Sequence, residues 1–127
     1  MAAGCVSSVR LQIRNVTRSS VLATEAAVAD TSAARCVGLL RHDSLPPGQG
    51  LWIVPSEGIH TFGMKFTIDV AFLDRKKRVL KIRHRMGPRR LSFCLRAHSV
   101  LELPAGTLAA TATERGDQLE FEQLSTE

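Results

Sequence analysis

Four polar residues could together form a reaction centre or a binding pocket. His60, Lys65 and Asp69 lie within the otherwise apolar run GIHTFGMKFTIDVAFLD, and Arg35 precedes them in the chain. If Asp69 is buried, its charge must be met by a cation or by several donors, because an unpaired buried carboxylate is too costly to keep ionised. His60 could then transfer protons, and Arg35 or Lys65 could hold an anionic group. The commoner interpretation of such a set is an internal ion pair that fixes this segment.

From this set we predict a ligand-binding site made of Arg35, His60, Lys65 and Asp69. Cations outnumber carboxylates there, and no nucleophile stands beside a base in the sequence. The leading hypothesis is therefore a non-enzymatic binding module for a small anionic ligand or for an acidic segment of a partner protein. The alternative is a small hydrolase-like enzyme in which His60 is the general base.

A second group of candidates is cationic. The 22 residues from 75 to 96 contain ten of the 17 Lys and Arg residues and none of the 12 Asp and Glu residues. The strand VLKIRHRM is predicted to place Leu80, Ile82, His84 and Met86 on one face and Lys81, Arg83 and Arg85 on the other. These three cations would stand roughly 6.6 Å apart and, with further basic residues, could track a phosphate backbone. The predicted anion or nucleic-acid patch consists of Lys81, Arg83, Arg85, Arg89 and Arg90.

Three simpler explanations compete with nucleic-acid binding, which we keep as a second alternative. The cations could form a solvated strand face, protect a sheet edge, or be neutralised by the acidic C-terminal stretch. Phe93 is the only aromatic residue of the segment, so stacking on single-stranded bases has little support.

Metal, cofactor and covalent chemistry lack their usual sequence patterns. The four histidines and three cysteines form no H-x-x-x-H or C-x-x-C pair, and no glycine-rich phosphate loop occurs. We therefore predict no metal and no cofactor. Cys5, Cys36 and Cys94 suggest no disulfide framework, which favours a cytoplasmic, reducing location. Neither a secretory signal nor an apolar run of membrane-spanning length is evident, so no membrane partner is expected.

The elements that must position these residues are mostly strands. The 127 residues predict one domain, residues 1–127, with possible frayed ends at 1–7 and 124–127. Two-residue alternation and short apolar runs predict about seven strands, and one short helix is predicted near residues 32–41. A mainly β, α+β architecture follows, with a mostly antiparallel sheet curled into a barrel or sandwich and the helix covering one end or face. The predicted strands are VRLQIR, VLATEAAVAD, LWIVP, TIDVAFLD, VLKIRHRM, SVLELP and QLEFEQL.

Several segments together resemble a known family. RCVGLLR, GLWI, IHTFGMKFTIDVAFLD, VLELPAG and the dipeptide GD occur in the order seen in a prokaryotic domain-of-unknown-function family, number one hundred and ninety-two in its series. The resemblance covers residues 20–122 and matches a shorter variant with His-Thr-Phe-x-Met-Lys. It implies a compact β-rich fold and brings no established activity. The commoner pattern of the family has a longer spacing before Asp69, so a site inferred from that pattern would transfer poorly to this chain.

Overall fold

The computed structural model describes residues 8–124, which form nine strands and two short helices. Seven strands form one mixed sheet in the order β6-β5-β8-β3-β2-β1-β9, and β4 pairs with β7 in a second sheet. In chain order the elements are β1 (Arg10–Asn15), β2 (Ser20–Ala29), α1 (Ser32–Val37), β3 (Gln49–Ile53), β4 (Gly58–His60), β5 (Ile68–Leu73), β6 (Val79–Met86), β7 (Leu91–Phe93), β8 (Ser99–Pro104), α2 (Thr107–Ala110) and β9 (Leu119–Gln123).

The predicted mainly β, mostly antiparallel fold is confirmed, and α1 is the short helix predicted near residues 32–41. Every strand pair is antiparallel except β2 with β3. The small sheet of β4 and β7 escaped prediction because three-residue strands are too short to display a period. Cys5 and the predicted frayed ends lie outside the described residues, except for Leu124, whose N–H donates to the Arg10 carbonyl at 2.9 Å. No helix within residues 8–124 is long and apolar enough to cross a membrane.

The connection between the two parallel strands contains α1. Its N-cap is Thr31, whose hydroxyl accepts the Ala34 N–H at 3.1 Å. The helix ends at Val37, four residues before the predicted end at Arg41, because Gly38 turns the chain with a φ of +49°. The Gly38 N–H then closes the last turn on the Ala34 carbonyl at 2.9 Å.

The large sheet curls so that its two edge strands meet at one end. An isolated bridge joins Arg78 to Gln118, where the Val79 N–H donates to the Asp117 carbonyl at 2.9 Å. Beyond this bridge β6 and β9 are not paired with each other, so the sheet is a half-barrel with an open seam.

Buried apolar residues cover both faces of the sheet. All six residues of β5 are buried, as its sequence predicted, and successive side chains point to opposite faces. Ala71 and Leu73 belong to one apolar cluster, while Val70 and Phe72 belong to a second cluster that also contains residues of α1 and β4. The helix and the small sheet therefore cover the second face.

A bulge changes the faces predicted for β6. Ile68 lies opposite Met86, but Val70 lies opposite Arg83, so one residue of β5 faces two residues of β6. Since directly opposed residues share a face, Met86 lies on the side of Arg83, not beside Ile82 as predicted. Arg85 has a φ of +46° at the bulge and leaves the alternation that Lys81 and Arg83 follow.

Candidate ligand-binding site

The carboxylate of Asp69 is satisfied by backbone donors. Asp69 is fully buried on β5. Its Oδ1 accepts the N–H of Arg85 at 2.8 Å, and its Oδ2 accepts the N–H groups of Gly106 at 3.1 Å and Leu108 at 2.9 Å. Of the two predicted alternatives, several donors rather than a cation from Arg35, His60 or Lys65 meet this charge. Arg85 at the bulge and Gly106 and Leu108 at the start of α2 supply three N–H donors, which stabilise a carboxylate that has no ion pair among the described residues.

The predicted site residues consequently do not form one cluster. Lys65 pairs with Asp43 at 2.9 Å, and both side chains are exposed. Arg35 donates to the Asp30 carbonyl at 3.1 Å and, through longer contacts of 3.4 Å, to the Val54 carbonyl and the Ser32 hydroxyl. The exposed His60 ring lies 5.8 Å from the Phe62 ring, centroid to centroid.

Arg35 and His60 do line a common cavity of about 440 Å³. Its walls come from α1 and the turn after it, the segment between β3 and β4, β4 itself, and the second face of the large sheet. The volume lies within the range of small-molecule sites in proteins. The apolar lining side chains are Val37, Leu39, Leu40, Ile53, Pro55, Ile59 and Met64, and the polar ones are Ser32, Arg35, Cys36, Ser56, His60 and Glu102.

Glu102 is the most unusual of these residues. It lies on β8 between Leu51 of β3 and Val70 of β5, and only 3% of its surface is exposed. Its Oε1 has no hydrogen-bond partner within the described chain. Burial raises the pKa of this carboxyl from 4.5 to about 8, because the charged form is poorly solvated. At neutral pH Glu102 is therefore mainly the uncharged acid, which can donate a hydrogen bond into the cavity.

The electrostatics of the cavity follow from these groups. The hydrogen-bond acceptors of Arg35 are uncharged oxygens, so its positive charge has no carboxylate partner in the described chain. Glu102 is the only carboxylate among the lining residues, and it is mainly protonated. The cavity thus combines an apolar wall, one neutral acid and a cationic rim.

Sequence reasoning missed Glu102, although a signal was present. SVLELP places one carboxylate between apolar neighbours, in a strand whose first five residues are all buried. An unpaired buried carboxylate is as costly to keep ionised at Glu102 as at Asp69. The two carboxylates differ in their partners, and only the fold assigns those partners.

The predicted cationic patch is also divided. Lys81 donates to the Phe93 carbonyl at 2.8 Å, and Arg83 donates to the Ser92 hydroxyl at 3.3 Å, so β7 covers this part of β6. Arg85 lies at the bulge, while Arg89 and Arg90 are exposed in the turn before β7. Of the alternating residues Lys81, Arg83 and Arg85, only Lys81 and Arg83 therefore share one strand face.

Among the described residues, the acidic side chains near the C-terminus do not neutralise the basic segment through ion pairs. Glu114 and Asp117 both pair with Arg18, at 2.7 and 3.0 Å. Within residues 8–124, none of the ten Lys and Arg residues of the basic segment forms an ion pair.

Comparisons agree with this description of the fold. The chain belongs to the family DUF192, described as an uncharacterized ACR, whose model matches residues 13–121. No curated protein matches the chain. A protein of unknown function from Novosphingobium aromaticivorans superposes with a TM-score of 0.77 at 20% identity, over 94% of this chain and 93% of that one. A protein from Sinorhizobium meliloti, described provisionally as a transcription regulator, superposes with a TM-score of 0.80 at 19% identity, over 91% of this chain and 95% of that one.

Proposed function

We propose that this protein is a non-enzymatic binding module that holds a small anionic ligand in the cavity that Arg35, His60 and Glu102 line. The observation that carries the proposal is the buried Glu102 carboxyl: its Oε1 has no hydrogen-bond partner among the described residues, and Glu102 is one of the residues that line the cavity. An unsatisfied buried polar group costs roughly 1–3 kcal/mol. A ligand oxygen that accepts a hydrogen bond from Glu102 would recover this cost.

The surroundings favour a ligand with a negative charge and an apolar body. Val37, Ile53 and Ile59 offer apolar surface along the wall. Arg35 adds positive charge without a carboxylate partner in the described chain, and a carboxylate or phosphate group could displace its long contact of 3.4 Å to the Val54 carbonyl. Of the predicted ligand-binding residues, this proposal keeps Arg35 and His60 and replaces Lys65 and Asp69 with Glu102.

The compartment is part of the same proposal. Cys36 is an exposed free thiol and Cys94 is a half-buried free thiol. Unpaired thiols persist where glutathione and thioredoxin keep them reduced, which supports a cytoplasmic location.

Thermal shift measurements with a panel of small carboxylates and phosphates test the proposal. A ligand at 100 times its Kd stabilises a protein by about 2.7 kcal/mol, so a bound anion raises Tm. The shift is expected to decrease in Arg35→Ala and to vanish in Glu102→Leu, which removes the donor and keeps an apolar side chain of similar size. Glu102→Gln, which retains a donor, should preserve it.

Lys65→Ala is the matched control, because it removes an exposed cation that lies outside the cavity. Its ligand-dependent shift should equal that of the unmodified protein. The absence of any Tm shift at millimolar anion, or an equal shift in Glu102→Leu, would rule out the proposed pocket.

A further inference from the structure

A second cavity, of about 740 Å³, follows the free side of β6. Three separate segments form its walls: β6 itself, the chain after β7, and the chain between α2 and β9. The lining residues are Leu80, Lys81, Ile82, His84, Cys94, Arg96, Thr113, Glu114 and Arg115. We call this cavity the seam cleft, because it lies along the open seam of the half-barrel.

The seam cleft carries excess positive charge. Lys81, Arg96 and Arg115 line it, and none of them forms an ion pair within the described part of the chain. Glu114 is the only acidic lining residue, and its carboxylate is held by Arg18 at 2.7 Å. An anionic occupant would therefore meet cations from three segments.

The backbone of β6 offers a second kind of complementarity. This strand is an edge of the large sheet, paired with β5 along one side. Past the bridge from Arg78 to Gln118, no other strand within residues 8–124 pairs with its other side. In an antiparallel edge strand, alternate residues direct their N–H and C=O groups away from the partner strand. Part of the backbone from Leu80 to His84 therefore faces the seam cleft.

We infer that the seam cleft binds an extended acidic segment of a partner protein, which adds to the sheet as a strand beside β6. Backbone hydrogen bonds to β6 would provide affinity, and acidic side chains beside Lys81, Arg96 and Arg115 would provide selectivity. If the cations only protected this sheet edge from aggregation, charges on β6 itself would be enough. Here two further segments, which carry Arg96 and Arg115, also contribute cations.

The same features disfavour two other occupants. A second copy of this chain would bring its own Lys81, Arg96 and Arg115 against these cations, which is repulsive. A single-stranded nucleic acid would find no Phe, Tyr or Trp among the described lining residues on which a base could stack.

Fluorescence anisotropy with two labelled peptides of alternating Glu and Val tests the inference. One peptide is unmodified, and the other is N-methylated at alternate residues, which keeps its charge and removes half of its backbone donors. We expect the unmodified peptide to bind, and the methylated peptide to bind at least about tenfold more weakly, because strand addition depends on backbone hydrogen bonds. Amide NMR signals of Leu80 to His84 should shift, and their hydrogen exchange should slow.

Charge reversal supplies the matched variants. Arg96→Glu and Arg115→Glu change exposed side chains in the seam cleft, and each should weaken peptide binding about tenfold. Arg41→Glu makes the same change at an exposed position outside the cleft and should have no effect. Equal binding of both peptides, unshifted Leu80 to His84 amides, or tighter binding of an oligonucleotide than of the peptide would each overturn the inference. Glu102→Leu should bind the peptide normally, which separates this test from that of the anion pocket.

Discussion

The Asp69 carboxylate accepts the Arg85 backbone N–H at 2.8 Å, at the bulge in the pairing of β5 with the end of β6. The same carboxylate accepts the N–H groups of Gly106 and Leu108 at the start of α2. One buried side chain of β5 therefore joins the bulge of the edge strand β6 to the start of α2. A residue that the sequence suggested as a ligand contact has a structural role in the fold.

Asp69→Ala should be strongly destabilising. It leaves three backbone donors without their acceptor, and each unsatisfied buried group costs roughly 1–3 kcal/mol, so we expect a loss of about 3 kcal/mol or more. Asp69→Asn keeps one acceptor oxygen and should lose less. Urea denaturation measures both, with Asp43→Ala, at an exposed ion pair, as a control of little effect. If Asp69→Ala were as stable as the control, the three hydrogen bonds would not stabilise the fold.

Glu102 should make the protein less stable as the pH rises through neutrality. Its folded pKa of about 8 lies above its unfolded value of 4.5, so the folded state binds the proton more tightly between these values. The contribution is complete below pH 4.5 and declines by about 1.4 kcal/mol per pH unit until it levels off near pH 8. Urea denaturation of the protein and of Glu102→Gln should give a stability difference that shifts in favour of the variant over this range.

His98 makes the comparison with Glu102→Gln necessary. Burial lowers the pKa of His98, and the charges of Arg75 and Lys77 lower it further. His98 alone would therefore make the protein more stable as the pH rises towards 6.5, opposite to the effect of Glu102. Both proteins contain His98, and the difference between them isolates Glu102. A difference that is constant from pH 5 to pH 8 would show that Glu102 is ionised in the folded state at neutral pH.

Asp117 should titrate differently once Arg18 is removed. Burial raises the pKa of Asp117, but hydrogen bonds from Arg18, Asn15 and the Glu114 backbone together lower it below its usual value. Its stabilising effect is therefore present above pH 3.8 and is lost as the pH falls through the folded pKa. Arg18→Ala should raise the pKa of Asp117, as followed by NMR of the carboxyl carbon, and should destabilise the protein more at pH 7 than at pH 2. Arg41→Ala, at an exposed position without a described ion pair, should leave this titration unchanged.

Gly38 should be required at the end of α1. Its φ of +49° with a ψ of −124° is a conformation that glycine adopts readily and that strains other residues by roughly 1–3 kcal/mol. Gly38→Ala should lower the free energy of unfolding by about this amount. Gly87→Ala is the matched control, since Gly87 has no positive φ and its new methyl group would meet only Thr67 Oγ1 at 4.0 Å. Equal stability of the two variants would show that the helix ends for another reason.

Local patterns predicted most of the strands well. β1, β5 and β6 fell within a residue or two of their predicted positions because the alternation of apolar residues is a local property. α1 began at the predicted position and ended early at Gly38, since a single glycine can adopt a conformation that stops a helix. The bulge at Arg85 left no such pattern, and it changed the faces predicted for the end of β6.

The candidate site illustrates what the sequence determined and what only the tertiary structure decided. The chain by itself determined the mainly β fold, the burial of β5 and the concentration of cations between residues 75 and 96, because composition and periodicity act along the chain. Tertiary structure alone decided that Asp69 meets three backbone N–H groups while Glu102, which lines a cavity, meets none from residues 8–124. The physical reason is that the hydrogen bonding of a buried carboxylate depends on donors from segments distant in sequence. Sheet register and packing set the positions of those donors.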